Sequence, residues 1–122
     1  MKTILIVDDD KEIRGLLQKK LEQNGYEVMA FESSSEALNM CKVKRPDLIL
    51  LDIVMPDLNG YEFARKLYED KETQGIPIIF QTGKDLEPQA IGNRVHEIGA
   101  FSFITKPYTV EELLAQIKEA IG

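Results

Sequence analysis

Four short aliphatic runs in this 122-residue chain each end in a residue that could do chemistry. Asp8, Asp9 and Asp10 follow Ile4-Leu5-Ile6-Val7, and Asp52 follows Leu48-Ile49-Leu50-Leu51. Thr82 follows Ile78-Ile79-Phe80-Gln81, and Lys106-Pro107 follows Phe103-Ile104-Thr105. If the runs are strands that end at one edge of a parallel sheet, where such sheets bind ligands, these side chains share one pocket. Carboxylates a few ångströms apart repel one another, so the pocket should attract a hard divalent cation. All-oxygen ligation with room for water favours Mg²⁺. A cation beside Asp52 lets an anionic phosphoryl group approach a carboxylate that otherwise repels it. Lys106 and the Thr82 hydroxyl supply charge and a hydrogen bond for the phosphoryl oxygens.

The elements that must position these residues are legible as an alternation of aliphatic runs with segments of helical periodicity, the pattern of βα units around a parallel sheet. Strands are expected at Thr3 to Val7, Glu27 to Phe31, Asp47 to Leu51, Pro77 to Gln81 and Ser102 to Ile104. The runs Ile4-Leu5-Ile6-Val7 and Leu48-Ile49-Leu50-Leu51 are apolar at every position, as strands covered on both faces should be. Ile13, Leu16, Leu17 and Leu21 fall at helical spacing, with Gly25 at a C′ position after Asn24. Ser33-Ser34-Ser35-Glu36 and Thr109-Val110-Glu111-Glu112 match the capping-box pattern and open a second and a last helix. A third helix should follow Gly60, and a fourth run from Pro88 to Ile98 until Gly99 stops it.

Composition excludes several function classes. A formal charge of -6 opposes non-specific attraction to nucleic acid and anionic lipid. No apolar run approaches the roughly 20 residues of a membrane span, and Met1-Lys2-Thr3 leads into no signal-peptide core. The single Cys41 cannot build an intrachain disulfide framework and points to a reducing compartment. The chain is therefore expected to be one cytoplasmic domain over residues 1–122, acting without direct nucleic-acid or membrane contact.

Taken singly, most of these residues have plainer readings. Asp10 reads as the N-cap of the first helix. Lys106 in isolation is an exposed lysine, and only its place among the acids changes that. His96, the only histidine, reads as a surface residue favoured by the C-terminal end of a helix dipole, and Cys41 as a small hydrophobe in a helix.

The stretches Ile4-Leu5-Ile6-Val7-Asp8-Asp9-Asp10, Leu50-Leu51-Asp52-Ile53-Val54-Met55-Pro56 with Gly60, Gln81-Thr82-Gly83 and Phe103-Ile104-Thr105-Lys106-Pro107 resemble the CheY-like receiver domain of two-component response regulators. The similarity covers essentially the whole chain, and four weak motifs in the right order make a specific combination. The resemblance implies an α/β, flavodoxin-like (βα)5 doubly wound sandwich with a five-stranded parallel sheet of order 2-1-3-4-5. It also implies roles. Asp52 takes a phosphoryl group from a phosphohistidine of a sensor histidine kinase or phosphotransfer protein. Asp9, Asp52 and the Val54 carbonyl ligate Mg²⁺, with Asp8 acting through a bound water. Lys106 holds a phosphoryl oxygen, and Pro107 follows a cis peptide bond. Thr82 and Phe103 form a switch pair that alters a target-binding surface on the fourth helix, fifth strand and fifth helix.

Two features depart from common family patterns. Phe103 stands where tyrosine is frequent, so the switch has no ring hydroxyl to offer a partner. Val54 and Lys84, two residues beyond Asp52 and Thr82, flank the phosphoryl position and are expected to set its lifetime. The implied protein catalyses only its own phosphorylation and dephosphorylation. With no output domain in sight, it is expected to be stand-alone or a receiver-sized piece of a longer protein, its output another protein.

Other classes fit less well. A haloacid-dehalogenase-like phosphohydrolase would use the Asp8-Asp9-Asp10 stretch, but no Thr or Val follows at the usual place and there is no length for a lid. A flavodoxin-like electron carrier needs a Ser/Thr/Gly-rich phosphate loop where this chain has three acids. A receiver that only binds partners without phosphorylation would not need Asp8, Asp9, Asp52, Thr82 and Lys106 together.

Overall fold

The computed structural model describes residues 1–54, 59–83 and 87–122. Strands and helices alternate: β1 (Thr3–Val7), α1 (Lys11–Gln23), β2 (Glu27–Phe31), α2 (Ser34–Val43), β3 (Leu48–Asp52), α3 (Gly60–Glu69), β4 (Ile78–Thr82), α4 (Pro88–Ile98), β5 (Ser102–Thr105) and α5 (Val110–Ile121). All strand pairings are parallel, in the order β2-β1-β3-β4-β5, as the resemblance implies.

The pleat divides the core in two. Leu5, Val7, Ile49, Leu51, Ile78 and Phe80 pack with residues of α2, α3 and α4 on one face. Ile4, Ile6, Leu48, Leu50, Ile79 and Ile104 pack with α1 and α5 on the other. Strands β1, β3 and β4 are buried at every position, which explains their aliphatic runs, while edge strand β2 is only half-buried. Period-two alternation carried past the last apolar residue places Asp8, Asp52, Gln81 and Lys106 on the α1/α5 side of the sheet edge. Thr82 and Thr105 fall on the opposite side with Phe103.

Five limits in three strands shift by one residue from the sequence expectation. Asp52, Thr82 and Thr105 belong to the ladder, where Asp52 pairs with Gln81 and Thr82 with Thr105. Asp47 and Pro77 fall outside the strands yet still bond to the sheet. The Asp47 amide donates to the Thr3 carbonyl at 2.8 Å, and the Pro77 carbonyl accepts the Ile49 amide at 3.0 Å. The two reactive-looking residues are thus fixed by backbone hydrogen bonds and not carried on free loops.

Helix ends follow the caps. Asp10 accepts from the Glu12 and Ile13 amides, Gly25 and Gly99 take positive φ, and Thr109 accepts from the Glu112 amide. The expected box at Ser33 differs: Ser33 is the N-cap of α2 without a side-chain capping bond, and its Oγ lies 3.0 Å from Ser35 Oγ, a competing local partner.

Gly60 opens α3 against the end of β3. Its amide donates to the Ile53 carbonyl at 2.7 Å, and a Cβ there would lie 2.8 Å from both Asp52 O and Ile53 Cα. Backbone atoms cannot swing aside, so Gly60→Ala should cost about 1–3 kcal/mol, as overpacking does. Gly15, in α1 with open space around its Cα, should behave oppositely, with Gly15→Ala adding about 0.5–1 kcal/mol. Urea melts of both variants check the pair; equal effects at the two positions would contradict the close-approach explanation for Gly60.

Candidate functional site

Asp8 directly follows β1 and is wholly buried, and Asp9 beyond it is exposed. One carboxylate oxygen from each of Asp8, Asp9 and Asp52 lies within 4.8 Å of the others. Lys106 reaches in from the end of β5, its Nζ 3.1 Å from Asp52 Oδ2 and 3.3 Å from Asp8 Oδ2. Its amide donates to the Thr82 carbonyl at 2.7 Å, which ties its backbone to β4. The Lys106–Pro107 peptide bond is cis, as the resemblance implies.

Burial pushes the Asp52 carboxyl above its ordinary range. The hydrogen bond and charge of Lys106 oppose the shift, and the charges of Asp8 and Asp9 add to it. For Lys106, burial works toward a lower value, but the hydrogen bond and charge of Asp52, then Asp8, outweigh it and the ammonium is held above its usual range. Among the described residues, three carboxylates thus face one ammonium. An all-oxygen donor set this compact suits a hard cation such as Mg²⁺, whose ligand oxygens sit about 2.0–2.1 Å from the metal. The residues present fit the ion.

Thr82 is buried at the edge of the cluster, where its Oγ1 donates to Thr105 Oγ1 at 3.3 Å. Phe103 lies on the same face, half-buried, its ring edge close to Gly92 of α4. Behind it, Gln116 of α5 donates to the Phe103 carbonyl at 3.2 Å. Val54 follows β3 and is 68% exposed. Lys84 lies outside the described residues. His96 is exposed in the last turn of α4, away from the acids, and Cys41 is buried in the core, its thiol pushed up to about 11 by burial.

Two residues in the pocket carry no role in the sequence reading. Gln81 donates through Nε2 to Asp8 Oδ2 at 3.2 Å, and Tyr108 donates its hydroxyl to Gln81 Oε1 at 2.5 Å. Burial, then the charges of Asp8 and Asp52, push the Tyr108 phenol up, so it stays a neutral donor at ordinary pH. The pleat could have revealed Gln81: a polar residue one position before Thr82 in a buried strand must face the acids. Tyr108, beyond a Lys-Pro turn, has no such signal.

An apolar groove of about 550 Å³ opens beside Lys106, between α1 and the loop before α5. Ile13, Leu16, Leu17, Pro107 and Tyr108 line it. Leu16, read above as part of the periodic face of α1, is 55% exposed on this rim and not in the core.

The comparisons with known proteins agree with this geometry. The family model of the response regulator receiver domain matches residues 4–118. The chain is 42% identical over 120 residues to the phosphate regulon transcriptional regulatory protein PhoB of Pseudomonas aeruginosa, covering 98% of this chain but only 52% of that protein, about half its length. It is 37% identical over 122 residues to protein PilH of the same organism, covering all of this chain and 99% of that one. Among solved structures, the chemotaxis protein CheY4 of Vibrio cholerae superposes with a TM-score of 0.90 at 28% identity, over 98% of each chain. An acidic, lysine-bearing edge on a 2-1-3-4-5 sheet and these likenesses lead to one conclusion: the chain belongs to the response regulator receiver domain family and has its place in two-component phosphorelay signalling.

Proposed function

We propose that Asp52 is the phosphoacceptor of this receiver, and that Asp8, Asp9, Asp52 and the Val54 carbonyl hold the Mg²⁺ it requires. The observation that carries this reading is the cluster itself: three acids within 4.8 Å, with Asp52 3.1 Å from an ammonium that also lies 3.3 Å from Asp8. Bound Mg²⁺ would neutralise charge shared between the acids and the incoming phosphoryl group. An Asp52 oxygen attacks phosphorus in line with the phosphohistidine nitrogen, the P–N bond breaks, and the imidazole leaves. Lys106 then exchanges its carboxylate partner for a phosphoryl oxygen, and Thr82 gives up Thr105 for another. Phe103 follows the vacated space, and because its ring meets α4 while its carbonyl is held from α5, the α4-β5-α5 surface would sense the change.

The donor is a sensor histidine kinase or a histidine phosphotransfer protein. The apolar groove at Lys106 suits a helix carrying the phosphohistidine, because a helix seated on Leu16 and Pro107 would cover the pocket and exclude water from the transfer. The target is another protein met through α4-β5-α5. The absence of any helix among the described residues long and apolar enough to cross a membrane accords with a cytoplasmic setting.

Incubation with Mg²⁺ and acetyl phosphate should yield one phosphate adduct by intact mass in the wild type and none in Asp52→Asn. An adduct persisting in that variant would assign the chemistry elsewhere. Steady phosphate release at enzyme-like rates would instead favour a phosphohydrolase.

The acidic cluster also has a cost in stability. Because the Asp52 carboxyl is held above its ordinary 3.8 in the fold, the unfolded chain ionises it more readily. The penalty is therefore absent at low pH and grows as pH rises through the ordinary and then the folded value, remaining in full at neutrality. Asp52→Asn should melt a few degrees higher than wild type at pH 7 without Mg²⁺. The gap should close as pH falls toward 4, and it should narrow when Mg²⁺ is added to the wild type.

Val54 has no polar group to orient an attacking water, and Lys84 could cover the phosphoryl oxygens, so phospho-Asp52 should be comparatively long-lived. Val54→Asn should hasten loss of the adduct after the donor is removed; an unchanged or slower decay would count against this assignment.

A further inference from the structure

Gln81 is fully buried, one turn of the pleat away from Ile79, and its amide has two ends that must both be satisfied where no water reaches. Its Nε2 faces Asp8 Oδ2 at 3.2 Å and its Oε1 faces the Tyr108 hydroxyl at 2.5 Å. Rotating the amide by half a turn would set its oxygen against a carboxylate oxygen, two acceptors in contact. Phenol, amide and carboxylate thus form a chain whose donors all point toward Asp8. On its other oxygen, Asp8 accepts the Asp10 amide at 2.9 Å. Both oxygens of a wholly buried carboxylate are therefore tied, which fixes its plane.

The chemistry of the ties matters. Lys106 also contacts Asp8 Oδ2, but an ammonium cancels the charge a cation needs and leaves when a phosphoryl group arrives. A neutral amide orients the carboxylate and keeps its charge. We propose that Gln81 and Tyr108 are positioning residues for the cation site: Tyr108 sets the Gln81 amide, and the amide sets the Asp8 carboxylate. The inference rests on the reading of Asp8 as part of a Mg²⁺ site. It gives two residues outside the acidic cluster, both lining the groove beside Lys106, a share in metal affinity.

Mg²⁺ titration by calorimetry, with no phosphodonor present, tests it on the wild type, Gln81→Leu, Tyr108→Phe and the double variant. Partners that orient metal ligands are typically worth 10–100-fold in affinity, so Gln81→Leu should weaken Mg²⁺ binding by about tenfold or more. Tyr108→Phe keeps the ring and loses only the donor, and should weaken binding by about threefold or more. The double variant should be no weaker than Gln81→Leu alone, because Tyr108 acts only through Gln81. Single variants within twofold of wild type, or losses that add in the double variant, overturn the proposal while leaving the Mg²⁺ site in place. A wild type that takes up no Mg²⁺ overturns both. Should Gln81→Leu fail to fold in a Mg²⁺-free melt, Tyr108→Phe decides alone, its wild-type affinity then being the overturning result.

Discussion

Like charges held together against their repulsion are the constraint on which the rest of this structure depends. Asp8 follows β1 and Asp52 ends the adjacent β3, and their carboxylates, with that of Asp9, crowd within 4.8 Å while a single described ammonium faces them. Left to themselves these groups would separate or take up protons. The sheet prevents separation, because Asp52 is locked into the ladder opposite Gln81 and Asp8 donates its amide to the Phe31 carbonyl at 3.1 Å. The electrostatic strain is supported by the apolar strands below. Each fully buried Leu or Ile contributes roughly 1.5–3 kcal/mol, and seven of the ten residues of β1 and β3 are of these two types. The apolar sheet and its acidic edge are thus coupled: stability made in the core holds together acids whose spacing suits the proposed cation.

The close approach at Gly60 serves the same end. With α3 drawn against the end of β3, the Asp52 and Ile53 backbone cannot relax outward to relieve the crowding. A glycine fifty-odd residues from Asp8 in sequence is thus part of the electrostatics, although it carries no charge.

Much of this was legible in the sequence because the same periodicities that make elements also aim side chains. Asp8, Asp52 and Lys106 could be read as one cluster once the runs before them were read as parallel strands, whereas the Thr82 hydroxyl, read with them, turns to Thr105 on the other face. The limits slipped by one at Asp52, Thr82 and Thr105 because polar residues end an apolar run in sequence but still pair in the ladder. Leu16 satisfied helical spacing yet faces solvent, since periodicity fixes a helix and its broad apolar side but not where the neighbouring helix stops covering it. Ser33 matched a capping box by residue type, whereas the bond depends on a hydroxyl rotamer that Ser35 competes for. Tyr108 was beyond reach, because its hydroxyl meets Gln81 only through the path of the loop after Pro107.

Gln81 and Thr82 show how one strand end can address both sides of a sheet. Adjacent residues on a pleat face opposite sides, so Gln81 addresses the acids and α1/α5 side while Thr82 addresses Phe103 and the α4 side. In the proposed switch the Thr82 hydroxyl leaves a neutral partner, Thr105 at 3.3 Å, for a charged one. A neutral hydrogen bond contributes about 0.5–1.5 kcal/mol net and one to a charged group about 1.5–3, so the exchange favours the phosphorylated arrangement by roughly 1 kcal/mol. Inverting a 1:99 population needs about 5.5 kcal/mol. Thr82 alone therefore cannot throw the switch. Most of the difference must come from Lys106, which moves from a shared carboxylate to a phosphoryl group bearing about 1.5–2 negative charges, and from the cation that offsets the acids. In that proposed switch Thr82 would serve chiefly to transmit the change, since of the site's side chains at the end of β4 it is the one on the Phe103 side of the sheet.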